Sequence, residues 1–232
     1  MARLADHTEI EFKLTVVGDD PDGLLDAIAA LDCIGDDALG PAQVLRLHDV
    51  YWDTEQSALR DHGLSLRLRW SGGAAVFTAK GGAGSDDGLF RRQELELPAT
   101  PEKWESVRQA VSDNGVTLGA AEATTGAPEA WLAKSGLVVT QDRVTERRTR
   151  AVLRGGKSVA ELALDRTTFR LRSLEVRYRE VEVEQLGNAA IDLDAVGRAL
   201  TARFPGRLEP STMGKYGRGL ALERQLQSAG LL

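Results

Sequence analysis

Charged and apolar residues alternate in one segment after another of this 232-residue chain, and this pattern limits the folds open to it. In residues 8–17, the side chains of Glu9, Glu11 and Lys13 fall on one face of an extended strand and apolar side chains fall on the other. Later segments repeat the pattern, with charges at Arg67, Arg69, Lys80, Arg92, Glu94, Glu96, Arg148, Arg150, Glu161, Asp165, Glu182 and Glu184. A period of two residues predicts strands, so we expect a sheet with one charged and one apolar face.

The strand and helix signals run through the chain without a break. Strands are predicted at residues 8–17, 43–54, 63–70, 74–80, 90–97, 137–153, 158–165 and 173–186. Helices are predicted after Asp20 and Thr100, where an N-cap residue precedes proline, and at residues 128–134, 191–204 and 211–227. The glycine-rich residues 81–88 are expected to form a flexible loop. No Pro/Ser-rich linker divides the chain, so we predict a single α+β domain over residues 1–232.

The composition is that of a soluble globular protein, with 42% hydrophobic and 28% charged residues. No run of about 18 apolar residues is present and the first residues lack an apolar signal core, so no membrane span is expected. A single cysteine, Cys33, excludes an internal disulfide framework and a cysteine zinc site. The net charge of −6 disfavours a nucleic-acid partner. We therefore expect a cytoplasmic protein with no membrane or nucleic-acid partner.

Two explanations account for charged faces on so many strands. The first is an outer surface that faces water, where charged residues are common. The second is a closed barrel whose lumen is charged and whose apolar face is covered by helices. Because unpaired buried charges are costly, such a lumen would have to bind a ligand. Closely spaced carboxylates suit Mg²⁺ or Mn²⁺, and Arg and Lys suit phosphate oxygens, so the second explanation predicts a site for a metal–polyphosphate complex.

A series of motifs follows the predicted strands in a fixed order. It begins with Glu9-Ile10-Glu11-Phe12-Lys13 and continues with Tyr51-Trp52-Asp53-Thr54, Leu64-Ser65-Leu66-Arg67-Leu68-Arg69, Thr78-Ala79-Lys80, Arg92-Gln93-Glu94-Leu95-Glu96, residues 160–165, residues 180–184, and a helix with Ser211, Lys215 and Arg218. In type and order these motifs resemble the CYTH domain, also called the triphosphate tunnel metalloenzyme family. The resemblance covers about residues 8–222.

The resemblance implies an eight-stranded antiparallel β-barrel that forms a tunnel, with helices packed on the outside. Members of the family hydrolyse or cyclise triphosphates with a divalent metal, so we expect an enzyme that uses Mg²⁺ or Mn²⁺. Some members carry a further C-terminal helical domain. Because this chain stops at Leu232, we expect a standalone CYTH protein.

The resemblance also implies roles for the charged residues of the strands. The expected metal ligands are Glu9, Glu11, Glu94, Glu96, Glu182 and Glu184. The expected phosphate-binding residues are Lys13, Arg67, Arg69, Lys80, Arg92, Arg148, Arg150 and Lys215. The expected catalytic residues are Glu9, Glu11, Lys13, Glu161 and Asp165, of which the last two hold a second metal or orient the attacking water. Two carboxylates two residues apart on a strand lie about 7 Å apart on one face, so a hydrated metal ion can bridge them.

Two choices of residue stay open in the sequence. Arg147 and Arg148 are adjacent, so only one of them can face the lumen, and we expect Arg148 and Arg150 to do so. On the last strand Glu180 can replace Glu182, although the resemblance favours Glu182 together with Glu184.

The expected reaction is the hydrolysis of inorganic tripolyphosphate to pyrophosphate and phosphate by a monomer or homodimer, and it needs no covalent nucleophile. One alternative is a nucleotide enzyme that cyclises ATP or cleaves nucleoside or thiamine triphosphates. Aromatic residues at the tunnel mouth would favour it, and Trp52 and Trp70 are the candidates. The other alternative is a non-catalytic module that binds polyphosphate. The carboxylates argue against this module, because an anion binder gains nothing from them without a metal.

Overall fold

The computed structural model describes residues 7–120 and 126–232, and in residues 83–85 it describes the backbone alone. Its strands are β1 (His7–Val16), β2 (Cys33–Ile34), β3 (Asp37–Leu39), β4 (Gln43–Thr54), β5 (Leu64–Ser71), β6 (Ala74–Asp86), β7 (Leu89–Pro98), β8 (Leu137–Arg154), β9 (Lys157–Leu171), β10 (Leu174–Gln185) and β11 (Leu208–Pro210). Its helices are α1 (Pro21–Ala29), α2 (Ala58–Asp61), α3 (Pro101–Asp113), α4 (Pro128–Lys134), α5 (Leu193–Arg203) and α6 (Lys215–Ser228). Each predicted strand is present, and β2, β3 and β11 are short additions.

Eight of these strands form a closed antiparallel barrel. Their order around the barrel is β8-β4-β5-β6-β7-β1-β10-β9, and β9 pairs with β8 to close it. Every neighbouring pair is antiparallel. The prediction of an eight-stranded antiparallel barrel in an α+β fold is therefore confirmed. Closure gives each strand an inner and an outer face, and successive side chains alternate between them.

The apolar face of the barrel points outward and is covered by helices. On one side, Trp104 of α3 and Trp131 of α4 pack against Phe77, with ring centroids 5.2 and 6.4 Å from that of Phe77. On the other side, Phe12 and Leu164 are buried in a cluster with residues of α1 and α5. Each large apolar side chain buried in this way stabilises the fold by about 1.5–3 kcal/mol. Because the apolar side chains of each strand point outward, the charged and polar side chains at the alternate positions point into the lumen.

Strand β8 has the opposite register to the one expected. Arg148 lies outside and donates from Nη1 to Oδ1 of Asp26 on α1 at 3.1 Å. Arg150 also lies outside and donates to four backbone carbonyl oxygens of the segment 29–40. Val152 is on the same face and is buried in the outer apolar cluster, which fixes the register. The expected inward position of Arg148 and Arg150 is therefore wrong, and Arg147 faces the lumen instead.

Residues 81–88, expected as a flexible loop, extend the β6–β7 hairpin instead. β6 continues to Asp86 and pairs with β7 beyond a register shift between Gly81 and Gly84. Backbone pairing needs no particular side chain, so a glycine-rich segment can continue a strand. Gly88 closes the turn with a φ of +95°, and a Cβ at this position would lie 2.9 Å from the ring of Phe12. Both the conformation and the close approach to β1 require glycine there.

Helix α6 differs from the outer helices because its first turn reaches the lumen. It begins at Lys215 rather than at the expected Ser211. Gln141 of β8 donates to the backbone oxygen of Tyr216 at 3.1 Å. A Cβ on Gly219 would lie 2.2 Å from Nε2 of Gln141, so glycine allows the helix to approach this closely. Across the described ranges, the helices are all too short or too polar to span a membrane.

Candidate active site in the barrel lumen

The lumen holds a cavity of about 270 Å³. Its charged lining residues are Glu9, Glu11, Lys13, Arg67, Arg69, Lys80, Arg92, Glu94, Glu96, Arg143, Arg147, Glu182, Glu184 and Lys215. Eight of these are Lys or Arg and six are Glu. His7, Tyr51, Ser65 and Tyr216 complete the lining. The charged faces of the strands therefore meet around one cavity instead of facing the solvent.

Strand β1 lies between β7 and β10, and its Glu-x-Glu-x-Lys motif pairs with charges on both. On β10, Glu184 is the register partner of Glu11, and Glu182 is that of Lys13. Glu9 faces an arginine on β7. Residues that face each other on antiparallel strands have Cβ atoms about 4.5–5.5 Å apart. This register therefore brings carboxylates and cations from three strands together.

The two glutamates of β1 are held by cations. Nζ of Lys80 lies 2.6 Å from Oε1 of Glu9, and Nη2 of Arg92 lies 3.2 Å from its Oε2. Glu11 accepts hydrogen bonds from Lys13 and Arg92. Burial raises the pKa of Glu11, but the charges of Lys13 and Arg92 outweigh burial and hold the pKa below its usual range. Glu11 is therefore ionised at neutral pH.

A second group of carboxylates surrounds the first residue of α6. Asp165, Glu180 and Glu182 are buried, and each offers an oxygen within 4.8 Å of the others. Nζ of Lys215 lies 2.8 Å from both Asp165 and Glu182, and it contacts Glu180. Arg147 donates two hydrogen bonds to Asp165, of 2.8 and 2.6 Å. Burial raises the pKa of Asp165, but Arg147 and Lys215 hold it below its usual range. Cations of the chain itself therefore neutralise this group.

Strand β4 lies across the barrel from β1, four strands away in either direction. Asp49 of β4 is buried there among Arg67, Arg69 and Arg143. Arg143 also donates from Nη2 to the hydroxyl of Tyr51 at 2.8 Å. Positive charge therefore prevails on this side of the lumen, whereas all six lining glutamates lie on β1, β7 and β10.

The sequence of residues 7–212 matches the family model of the CYTH domain. This chain belongs to the CYTH domain family. The resemblance carried by the order of the motifs is thereby confirmed.

Several solved structures have a fold similar to that of this CYTH domain but share little sequence with it. One is a proposed adenylyl cyclase from Hippeastrum described as having a dominant triphosphatase activity, with 18% identity, a TM-score of 0.62, and coverage of 94% of this chain and 95% of that one. Another is a proposed adenylate cyclase from Bacillus halodurans, with 18% identity, a TM-score of 0.51, and coverage of 91% and 97%. The PH1819 protein of Pyrococcus horikoshii OT3 has 15% identity, a TM-score of 0.51, and coverage of 92% and 99%. At these identities the likeness shows the fold alone. No curated protein sequence matches this chain.

The Tyr-Trp-Asp-Thr motif of this CYTH domain is mainly structural. The carboxylate of Asp53 accepts hydrogen bonds from the backbone N–H groups of Thr54, Leu59 and Arg60, at 2.8, 2.8 and 3.1 Å. Two of these N–H groups, those of Leu59 and Arg60, are N-terminal donors of α2, and the hydroxyl of Thr54 accepts from the N–H of Ala58 at 2.9 Å. Trp52 is buried in the outer apolar core under α3 and α4. Of the four residues, the tyrosine lines the lumen.

The structure brings most of the predicted site residues to the lumen. The predicted residues that line the cavity are Glu9, Glu11, Lys13, Arg67, Arg69, Lys80, Arg92, Glu94, Glu96, Glu182, Glu184 and Lys215. Asp165 is buried beside Lys215, as described above. Glu161 lies four residues before Asp165 on β9, opposite Glu184 on β10, and is half-buried. Burial and the charge of Asp165 raise the pKa of Glu161. Arg148 and Arg150 are outside.

The sequence indicated no site role for Asp49, Tyr51, Arg143 or Tyr216, and it offered Arg147 only as the alternative to Arg148. One signal in the sequence could have located Arg143 and Arg147 on β8. The outer face of the barrel is apolar, and the valines at positions 144 and 152 of β8 occupy even-numbered positions. The odd-numbered positions of this strand, which include 143 and 147, therefore face inward. The others carried no signal, because their partners come from distant strands.

The carboxylates of β1 and β10 fit a divalent cation. Burial and the charges of Glu9 and Glu11 raise the pKa of Glu184 to about 8. Oε2 of Glu9 is buried and makes no hydrogen bond in the described residues, so its ion pair with Arg92 leaves it able to accept a further ligand. Glutamate oxygens are the ligands that Mg²⁺ and Mn²⁺ prefer. Together with Glu182, which also faces the cavity, these residues form a donor set whose mutual repulsion a divalent cation would relieve.

Proposed function

We propose that this CYTH domain hydrolyses inorganic tripolyphosphate to pyrophosphate and phosphate with Mg²⁺ or Mn²⁺. The observation that carries the proposal is the lumen, which combines six glutamates with eight lysines and arginines around one cavity. Cations alone would serve an anion binder, and carboxylates alone would serve a metal. A cavity with both suits a metal–polyphosphate substrate.

The residues of the chain would bind and orient the substrate. Phosphoryl transfer requires mainly positioning and neutralisation of charge, and the bound metal would supply part of that neutralisation. Five of the cations that line the cavity would donate hydrogen bonds to phosphate oxygens there, namely Lys13, Arg67, Arg69, Lys80 and Arg92. A water molecule would attack the terminal phosphorus, and the bond from that phosphorus to the bridging oxygen would break to release pyrophosphate.

The two carboxylates predicted as catalytic on β9 have different surroundings. Asp165 holds Arg147 and Lys215, so we propose that it positions these cations for the terminal phosphate. Burial raises the pKa of Glu161, which makes it a better proton acceptor than an exposed carboxylate. We propose that Glu161 orients the attacking water and takes its proton.

The size and lining of the lumen favour an inorganic triphosphate over a nucleotide. Pockets for drug-sized ligands measure about 300–1,000 Å³, and the lumen cavity of about 270 Å³ is smaller. Neither tryptophan expected to stack a base lines it. Trp52 is in the outer core, and Trp70 stacks on His48 with ring centroids 5.0 Å apart. In the lumen itself, Tyr51 and Tyr216 stack on each other, with centroids 4.6 Å apart.

The test is phosphate release from tripolyphosphate, ATP and thiamine triphosphate, each with Mg²⁺, Mn²⁺ or EDTA. The proposal predicts metal-dependent release that strongly favours tripolyphosphate. Preferred turnover of ATP would favour the nucleotide alternative, and cyclic AMP would then be sought among the products. A melting temperature that rises with tripolyphosphate in the absence of any turnover would favour the binding module. A cytoplasmic location and a monomeric or homodimeric state remain predictions.

A further inference from the structure

Asp49 occupies the centre of three arginine side chains from two other strands. Its carboxylate accepts hydrogen bonds from Nε and Nη2 of Arg69, at 2.7 and 2.9 Å. It also accepts from Nε and Nη2 of Arg143, at 3.2 and 3.1 Å. Nε of Arg67 lies 3.8 Å from Oδ1. With side-chain exposures of 1% for Asp49, 2% for Arg143 and 7% for Arg67, most of the group is shielded from water.

The group has more positive than negative charge and leaves buried donors unused. Three guanidinium groups face one carboxylate. Burial raises the pKa of Asp49, but Arg67, Arg69 and Arg143 outweigh burial and hold the pKa well below its usual range, so Asp49 is ionised. Nε of Arg67 and Nη1 of Arg143 are buried and make no hydrogen bond in the described residues. Buried donors without acceptors are costly, so an anionic oxygen ligand on this side of the cavity would be favoured.

We propose that Asp49 is a positioning residue that spaces the three guanidinium groups into a socket for one phosphoryl group of the substrate, bound without metal. The inference rests on the proposed function. The socket lies on β4, β5 and β8, across the barrel from the glutamates of β1. A triphosphate would therefore lie across the lumen, with metal-bound oxygens at one end and the arginine socket at the other. Arg143 and Asp49 thereby become determinants of which phosphate faces the metal.

Asp49 could act through its charge or through its geometry, and the two roles predict opposite results. If it only neutralises the arginines, Asp49→Asn would add positive charge to the site and tighten the binding of an anion. If it positions them, Asp49→Asn frees three guanidinium groups that repel one another and weakens binding. Asp49→Glu keeps the charge and moves it by one methylene. Neutralisation predicts no change for this variant, whereas positioning predicts weaker binding.

The experiment is titration calorimetry of tripolyphosphate and pyrophosphate into each protein in EDTA, so that neither metal nor hydrolysis contributes. We expect Asp49→Asn and Asp49→Glu each to raise the Kd by about tenfold or more, the effect of losing one charge-assisted hydrogen bond. Asp142→Asn is the matched control, because Asp142 lies next to Arg143 in sequence but pairs with His48 outside the lumen. Its Kd should equal that of the wild type.

The outcomes separate this inference from the proposed function. Tighter binding by Asp49→Asn, or an unchanged Kd in Asp49→Glu, overturns the positioning role and leaves the proposed function intact. Should Asp49→Asn fail to fold, Asp49→Glu alone decides, because it retains the buried charge that offsets the arginines. If the wild type binds neither anion in EDTA, the metal-free socket is overturned, whereas the metal-dependent proposed function is still decided by phosphate release.

Discussion

Lys13 and Glu182 form a buried ion pair across the β1–β10 ladder, in which they are register partners. Glu182 also contacts Arg147 and Lys215, so one carboxylate joins cations from β1, β8 and α6. Burial lowers the pKa of Lys13, but Glu11 and Glu182 outweigh burial and hold the pKa above its usual value. Lys13 therefore stays protonated, and its contribution to the site is a fixed positive charge rather than a base.

Replacing Arg147 and its neighbour Arg148 separates the two possible registers of β8. We expect Arg147→Gln to lower kcat/KM for tripolyphosphate by about a hundredfold or more, because it removes a charge-assisted donor from the lumen. Arg148→Gln should leave kcat/KM unchanged, since Arg148 pairs with Asp26 outside. Steady-state phosphate release measures both variants. Equal losses in the two variants would contradict the inward position of Arg147.

Arg147→Lys is the companion to these variants. It keeps a positive charge beside Asp165 and Glu182, so the melting temperature should fall less than in Arg147→Gln. Activity should nevertheless remain low, because lysine cannot make the two hydrogen bonds that Arg147 donates to Asp165. Full activity in Arg147→Lys would mean that the charge alone matters at this position.

Glu184→Gln should stabilise the metal-free protein at alkaline pH. In the folded protein the pKa of Glu184 is raised from 4.5 to about 8. A carboxyl group whose pKa is higher in the folded than in the unfolded protein contributes stability that is fully present below the unfolded pKa. This stability is lost as the pH rises through the folded pKa, because the unfolded chain ionises more readily. In EDTA, the melting temperature of the variant minus that of the wild type should therefore grow between about pH 5 and pH 9.

Glu175→Gln is the control for this pH dependence. Glu175 lies on the same strand, and its side chain is 68% exposed. Its replacement should shift the melting temperature by a small amount that does not change with pH. A difference between Glu184→Gln and the wild type that is equally flat would show that Glu184 is not destabilised by its neighbours.

Divalent metal should stabilise the wild type through the same carboxylates. We expect Mg²⁺ or Mn²⁺ to raise the melting temperature, by mass action on the folded state. The affinity should increase between about pH 5 and pH 8, because Glu184 has to lose its proton to bind the metal. In Glu184→Gln both the stabilisation and its pH dependence should be reduced. A metal-induced shift of the same size in variant and wild type would place the metal elsewhere.

Alanine substitutions at two glycines of α6 test its contact with the lumen. A Cβ on Gly219 would lie 2.2 Å from Gln141, whereas one on Gly217 would lie 3.6 Å from the Cβ of Met213. We expect Gly219→Ala to cost about 1–3 kcal/mol of stability through overpacking and to lower activity by displacing Lys215. Gly217→Ala should be neutral or slightly stabilising, because alanine favours a helix. Equal stability and activity of the two variants would show that α6 is not packed against Gln141.

The barrel and most of its lining were predictable because both depend on local alternation. In β1, the positions of Glu9, Glu11 and Lys13 relative to the apolar residues between them fix the inner face without reference to any other strand. The register of β8 was mispredicted because arginines stand at both 147 and 148, so charge alone does not distinguish the faces. Val144 and Val152 identify the outer face, since apolar residues cover the outside of this barrel.

The remaining site residues depend on contacts between distant elements. Asp49 gains its role from arginines on β5 and β8, and no spacing in the sequence shows that these strands flank β4. Gly219 would weaken an isolated helix. The reason for a glycine there is the close approach of Gln141, which the sequence does not show. Pairing order and close approach are properties of the closed barrel, so they could not be predicted from a pattern along the chain.

Phosphorus NMR of a reaction with tripolyphosphate and Mg²⁺ or Mn²⁺ tests the central claim most directly. Hydrolysis in the lumen predicts that the tripolyphosphate signals are replaced by those of pyrophosphate and phosphate in equal molar amounts. The conversion should stop in EDTA, which removes the metal. It should also stop in Glu11→Gln, which removes an ionised carboxylate that is proposed to bind the metal and that pairs with Lys13 and Arg92 in the lumen. Unconsumed tripolyphosphate in the presence of either metal, or conversion that continues in Glu11→Gln, would contradict the account.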